Sequence, residues 1–293
     1  MKAKGAVDER SALALGSLGV TSGGYAMRYL EQEADLAIVL GAGFNERTSY
    51  VWDKKLLAGK KLIQVDNNAQ QLQKVFRADL ALQADLGAYL GALDAAIRQQ
   101  DIPARAPVDV AAFINDAQRD IDNAGERIFN EKFDHVKAFY RWLEQQFPEG
   151  LVMFDDNIVF AQNFYRVSGR DRFCPNTGIS SLGHAIPAAL GAPCTVKKPL
   201  FAMIGDGGFQ MCGMELMTAV NYSLPLNVVL FNNDTMGLIR KNQHQHYNDR
   251  FIDCDFANPD YAQFAQSFGI SHARIENEQD LPGLADNMDF HNG

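Results

Sequence analysis

Short, largely apolar runs that alternate with helical stretches leave a chain few ways to fold, and this chain of 293 residues carries that alternation twice. The first series has an apolar run at Ala34 to Leu40, read as a buried strand, and a second short strand at Lys61 to Asp66 with an acidic residue at its end, with helical patterns at Gly24 to Glu33 and Leu86 to Arg98. The second has runs at Leu151 to Phe154, Leu200 to Ile204 and Leu226 to Phe231. Its helical stretches are Asp134 to Phe147, Gly183 to Gly191, Gly213 to Asn221, Pro259 to Phe268 and Gln279 to Asp286. Runs apolar at successive positions suit strands buried on both faces, which means parallel sheets covered by crossover helices. The expected fold is therefore α/β, with two doubly wound parallel-sheet domains.

The first domain is expected over 1–100 and reads as incomplete, because its first element is already a helix and few strands follow. A polar stretch over 101–132, with Pro103, Pro107 and a polar helical pattern at Ala117 to Glu126, reads as a linker. The second domain is expected over 133–293 and reads as C-terminally truncated, without the closing strand such a sheet normally has.

The formal charge of -9 argues against nucleic acid or an anionic membrane as partner, since both would be repelled at long range. No apolar run reaches the roughly 18 residues needed to span a bilayer. Cys174, Cys194, Cys212 and Cys254 form no C-x-x-C, which points to reduced thiols in a cytoplasmic protein.

An acidic chain that binds phosphate must hold it by local geometry. The second series offers such a place, because Gly205-Asp206-Gly207-Gly208 ends one apolar run and Asn232-Asn233 ends the next. Adjacent parallel strands deliver both to the C-terminal edge of the sheet, where α/β proteins bind ligands. The oxygens of Asp206 and Asn233 are hard donors suited to Mg²⁺, an ion that completes its octahedron with phosphate and water. Gly207 and Gly208, lacking side chains, would let backbone N–H groups approach a diphosphate at the start of the following helix.

GDG followed after about 25 residues by NN, with both halves behind apolar strands, resembles the thiamine-diphosphate (ThDP) motif. Here Asp206 and Asn233 stand 27 positions apart. Asn232 to Ile239 (NNDTMGLI) and Thr177 to Ala192 (TGISSLGHAIPAALGA) are similar to segments of acetolactate synthase-like enzymes. The chain thus resembles the middle and C-terminal diphosphate-binding domains of that family, without its N-terminal pyrimidine-binding domain.

The resemblance implies Asp206, Asn233 and the Thr235 carbonyl as metal ligands, with Gly205, Gly207, Gly208, Met236 and Gly237 around the diphosphate. It makes Leu182 the apolar prop that bends thiamine, and the Ser180 carbonyl the acceptor for the aminopyrimidine amine. It also implies a carboligase that decarboxylates a short 2-oxo acid such as pyruvate and transfers the enamine to an acceptor carbonyl. The alternatives are a 2-oxo acid decarboxylase or a non-catalytic ThDP-binding fragment.

No catalytic acid or base is assigned, because the family's activating glutamate belongs to the pyrimidine domain of another subunit. A homodimer or homotetramer is expected of the full-length protein, and the fragment alone is expected to be inactive. Asp155 and Asp156, at a strand end, read either as a solvated turn pair or as groups reaching the substrate. FAD, which some relatives hold near Arg47 and Asp66, is disfavoured because Gly41 to Arg47 (GAGFNER) departs from the family text and the glycine-rich first unit is absent.

Overall fold

The computed structural model describes residues 3–19, 22, 24–100, 102, 108–115, 133–176 and 179–291. They form two compact units, one over 11–115 and the other made of 3–10 with 133–291. The linker expected over 101–132 lies largely outside the described residues, as does the polar helical pattern at Ala117 to Glu126; 110–115 is helical.

The first unit contains α1 (Tyr25–Gln32), β1 (Leu36–Leu40), β2 (Lys61–Asp66), β3 (Leu80–Gln83) and α2 (Leu86–Gln99). Its strands form a parallel sheet in the order β1-β2-β3. Strand β3 was not foreseen, because Leu80 to Gln83 is only four residues long and ends in a glutamine. Central β2 buries Leu62, Gln64, Val65 and Asp66, and the Asp66 carboxylate accepts the Asn68 N–H at 2.8 Å to close the turn that follows. Asp85 caps α2 by accepting the Ala88 N–H.

The second unit runs α3 (Asp134–Gln146), β4 (Val152–Asp155), α4 (Val159–Phe164), β5 (Arg172–Pro175), α5 (Ala185–Gly191), β6 (Leu200–Gly205), α6 (Asp206–Cys212), α7 (Leu216–Tyr222), β7 (Asn227–Phe231), α8 (Gly237–His246), α9 (Tyr261–Phe268) and α10 (Pro282–Asn287). Its four strands are parallel, in the order β5-β4-β6-β7. After β5 the chain returns to the other side of β4, so strand order reverses between β4 and β6. Such a switch point opens the crevice in which doubly wound sheets bind ligands.

Strand β6 shows why its run is apolar at every position. Phe201 and Met203 face a cluster containing Val136, Phe139, Tyr140 and Leu143 of α3, spaced as one helical stripe. Ala202 and Ile204 face the opposite cluster, with Ala185, Ile186 and Ala189 of α5 and Leu216 of α7. Fully burying each such large side chain stabilises the fold by roughly 1.5–3 kcal/mol.

Residues 3–10, which the sequence assigned to the first domain, belong to the second unit. Polar pairing holds them there. The Glu9 N–H donates to the Val167 carbonyl and the Val167 N–H donates to the Glu9 carboxylate. Lys4 pairs with Glu9 at 2.6 Å, both side chains being buried. The Arg10 guanidinium reaches Asp171, whose side chain is wholly buried, and the Arg166 carbonyl. Composition gave no sign of this, because each contact joins residues more than 150 positions apart in sequence, save the Lys4–Glu9 pair.

Candidate cofactor and metal site

Asp206 stands at the switch point, where β6 ends and α6 begins. It is buried, with 2% of its surface exposed, and its carboxylate is wired to both strand ends. Oδ1 accepts the N–H of Gly207 at 2.9 Å. Oδ2 accepts the N–H groups of Asn233 at 3.1 Å and Asp234 at 2.7 Å, which brings the turn after β7 against the end of β6. Asp206 and Asn233 are thus adjacent, as parallel pairing of β6 with β7 requires.

The turn itself is held in an unusual shape. Asp234 has φ +55°, a left-handed conformation that an aspartate tolerates better than most residues. The Phe256 N–H donates to the Asp234 carbonyl, and the Met236 N–H and Thr235 hydroxyl both donate to the Cys254 carbonyl. These bonds form an isolated antiparallel bridge between Thr235 and Asp255, and neither of its backbone bonds uses the Thr235 carbonyl. The Asn233 side chain is exposed beside Gly237, where an added Cβ would lie 3.2 Å from the Asn233 amide.

Asn258, which the sequence reading did not single out, is part of the same cluster. Its amide nitrogen lies 2.8 Å from Asp206 Oδ2, 2.7 Å from Asn232 Oδ1 and 2.8 Å from Asp234 Oδ1. Its amide oxygen accepts from Gln210 Nε2 and from the Tyr261 hydroxyl, each at 2.7 Å. Burial, with the nearby Asp206 and Asp234 carboxylates, pushes the Tyr261 hydroxyl up to about 12, so it donates throughout the neutral range. A signal did exist in the sequence: Asn258-Pro259-Asp260 precedes a helix, but read alone it marks only a helix start.

The glycines of the motif do something other than open a bare cradle. A Cβ on Gly207 would lie 2.6 Å from Cε of Met236, and one on Gly208 would lie 2.5 Å from Oδ2 of Asp156. Their missing side chains admit Met236 and Asp156. A Cβ on Gly205, by contrast, would make only ordinary contact, at 3.7 Å from Ile158. Both backbone groups of Met236 are engaged within the chain, its N–H by Cys254 and its carbonyl by Arg240.

Asp155 and Asp156 are a buried pair, 0% and 1% exposed, which overturns the solvated-turn reading. Asp156 Oδ2 accepts the Gly183 N–H at 2.8 Å and Oδ1 the His184 N–H at 2.9 Å, anchoring the segment that carries Leu182. Asp155 accepts from Ile158 N–H and Gln162 Nε2. Burial raises its carboxyl to about 7, against the pull of those two hydrogen bonds.

Thr177 and Gly178 of the family segment lie outside the described residues. Beyond them, Leu182 is 38% exposed on the same edge. Ser180 adopts φ +57°, a left-handed conformation that glycine would adopt without strain. Its carbonyl already accepts the Asn157 amide at 3.2 Å, and a carbonyl oxygen has a second lone pair to offer.

The donor set fits a hard cation. Asp206 and Asp234 bring two carboxylates against one neutral amide nitrogen, with the Asn232 amide oxygen beside them and the Asn233 side chain on the adjacent residue. All are oxygen ligands of the kind Mg²⁺ takes, and among the described residues no cluster of three or more His, Cys, Asp or Glu side chains offers an alternative centre.

Comparison with known proteins gives the family. Residues 156–288 match the family model "Thiamine pyrophosphate enzyme, C-terminal TPP binding domain", and residues 1–93 match "Thiamine pyrophosphate enzyme, central domain". The chain belongs to the thiamine pyrophosphate enzymes.

Within that class it is of the acetolactate synthase-like type. It is 28% identical to the mitochondrial acetolactate synthase of Schizosaccharomyces pombe, over 94% of this chain and 43% of the relative. It is also 28% identical to the acetolactate synthase isozyme 2 large subunit of Escherichia coli, over 98% and 51%. With the acetolactate synthase large subunit of Lactococcus lactis it shares 26% identity, over 92% and 46%. The chain spans about half the length of these relatives. Among the described residues, no helix is long and apolar enough to cross a membrane.

Proposed function

We propose that this chain is the cofactor- and metal-holding part of a Mg²⁺- and ThDP-dependent carboligase of the acetolactate synthase type. Its donor substrate would be a short 2-oxo acid such as pyruvate, and its acceptor a second carbonyl compound. The observation that carries the proposal is the buried Asp206 carboxylate bonded to the turn after β7, at the switch point of a parallel sheet.

In this reading the Asp206 carboxylate, the Asn233 side chain and the Thr235 carbonyl hold Mg²⁺. The segment Gly205 to Gly208, with Gly237, receives the diphosphate. The Met236 thioether packs over Gly207 and closes the wall behind it. Asp156 fixes the backbone at Gly183 and His184 and so positions Leu182, which would prop the thiamine, while the Ser180 carbonyl, bonded once to Asn157, would have a lone pair for the aminopyrimidine.

When bound, ThDP supplies a carbon nucleophile and an electron sink for decarboxylation of a 2-oxo acid. This chain's residues bind and orient; the proton-moving glutamate would come from a pyrimidine-binding domain of another subunit, in a homodimer or homotetramer. Cytoplasmic location belongs to the same proposal, supported by four free cysteines.

Titration calorimetry with ThDP, in Mg²⁺ and in EDTA, tests the binding role, and heat seen equally in both would refute it. Supplying a family pyrimidine domain and pyruvate tests the reaction. Acetolactate is the expected product, whereas aldehyde without any ligation product would shift the assignment to a decarboxylase.

A further inference from the structure

We infer that Asn258 is a positioning residue for the metal site, holding Asp206 and the 232–234 turn in the arrangement a cation requires; this rests on the function proposed above. The amide orientation is fixed by its neighbours. Asp206 and Asp234 are carboxylates that only accept, so the nitrogen must face them, while Gln210 Nε2 and the Tyr261 hydroxyl donate to the oxygen. Gln210 lies on α6 and Tyr261 begins α9, and the Tyr261 ring also packs edge-on against Phe209 at 5.5 Å. Two helices therefore hold the amide before any ligand arrives.

The count of hydrogens is the telling feature. One amide nitrogen carries two N–H hydrogens, yet three oxygens lie within 2.8 Å of it. The two hydrogens cannot serve all three oxygens, though Asp206 Oδ2 already accepts the Asn233 and Asp234 N–H groups, and two carboxylate charges meet a donor that carries no charge to offset them. A lysine ammonium there would bring three hydrogens and offset one of the two carboxylate charges, weakening the demand for an ion. Asparagine aligns the oxygens and leaves their charge in place. It also explains how Asp234 is kept left-handed: the Asp206 carboxylate binds its N–H, Phe256 its carbonyl and Asn258 its side chain.

Groups that orient metal ligands in this way typically cost 10–100-fold in metal affinity when removed. Two variants of the full chain test the idea. Asn258→Ala is expected to keep the native circular dichroism spectrum and to weaken Mg²⁺-dependent ThDP binding about tenfold or more. Asn258→Asp adds a third carboxylate to the cluster. It is expected to melt below the wild type in EDTA and to regain most of that deficit in magnesium chloride alone.

A merely structural amide would give a melting deficit indifferent to Mg²⁺. That result, or Asn258→Ala binding within twofold of the wild type, overturns the inference while leaving the ThDP assignment intact. If the wild type fails to bind ThDP but Mg²⁺ still rescues Asn258→Asp, the positioning role stands and the cofactor assignment falls. Failure of both overturns both.

Discussion

Asp156 occupies the space that a side chain at residue 208 would need: a Cβ on Gly208 would come within 2.5 Å of Asp156 Oδ2. That oxygen cannot simply swing aside, because it accepts the Gly183 N–H while its twin accepts the His184 N–H. The ends of β4 and β6 are therefore locked together through a glycine and a carboxylate.

Gly208→Ala should destabilise the second unit by about 1–3 kcal/mol, the usual range for overpacking. In a double-mutant cycle with Asp156→Ala the two losses should fall short of additivity, since removing the Asp156 carboxylate vacates the space that the methyl at 208 needs. Chemical denaturation of the three variants measures this, and strict additivity would show that the contact is not shared.

Asp155 gives a pH dependence with a definite sign. Its carboxyl is raised to about 7 in the fold by burial, against about 3.9 in an unfolded chain. Between those values the native state holds a proton that the unfolded state has lost, so this group's contribution falls as pH rises from about 4 to 7 and is level above that. Asp155→Asn should lack that fall. Melting curves of both proteins from pH 4 to 8 should therefore diverge progressively toward pH 7, and parallel curves would contradict the shift.

The Tyr140 hydroxyl is buried without a hydrogen-bond partner among the described residues. Tyr140→Phe removes an unsatisfied polar atom while keeping the ring, which packs against Phe139 and Tyr165. Stability should be unchanged or higher, by up to about 1–3 kcal/mol, when read by denaturant midpoint. A clear loss would reveal a partner for the hydroxyl.

Arg10→Ala should lower the stability of the second unit by about 1.5–3 kcal/mol, because it withdraws a charged partner from buried Asp171. The loss should stop well short of unfolding, since Asp171 still accepts the Leu151 and Ser168 N–H groups. Thermal melts in low and high salt separate this buried pair from surface pairs, whose contribution salt screens.

Much of the fold was legible because strands of a covered parallel sheet write themselves as largely apolar runs. β1, β2, β4, β6 and β7 were found in that way, although β1 leaves Leu36, Ile38 and Leu40 exposed where its run predicts a buried strand. β5 escaped because Arg172 to Pro175 is short and begins and ends with residues unlike a core strand, and α8 because GLIRKNQHQH is almost wholly polar. At the site, Asp206 and Asn233 stood out by spacing behind two strands. Asn258 did not, because its role comes from contacts 24 to 52 positions distant that no local pattern encodes. The burial of Asp156 was hidden for the same reason, its partners being supplied by 183 and 184, whereas Asp155 is held by the nearby Ile158 and Gln162.

Strand β6 sends Phe201 and Met203 into one cluster and Ala202 and Ile204 into the other, and one residue past its end it delivers Asp206. A slip of one position along β4 or β7 would exchange the two faces, driving phenylalanine into the space of alanine, and would move the carboxylate off the turn it binds. The core therefore acts as a ruler for the site. Substitutions that loosen packing around Phe201, far from any ligand, should blur the alignment of Asp206 before they unfold the protein.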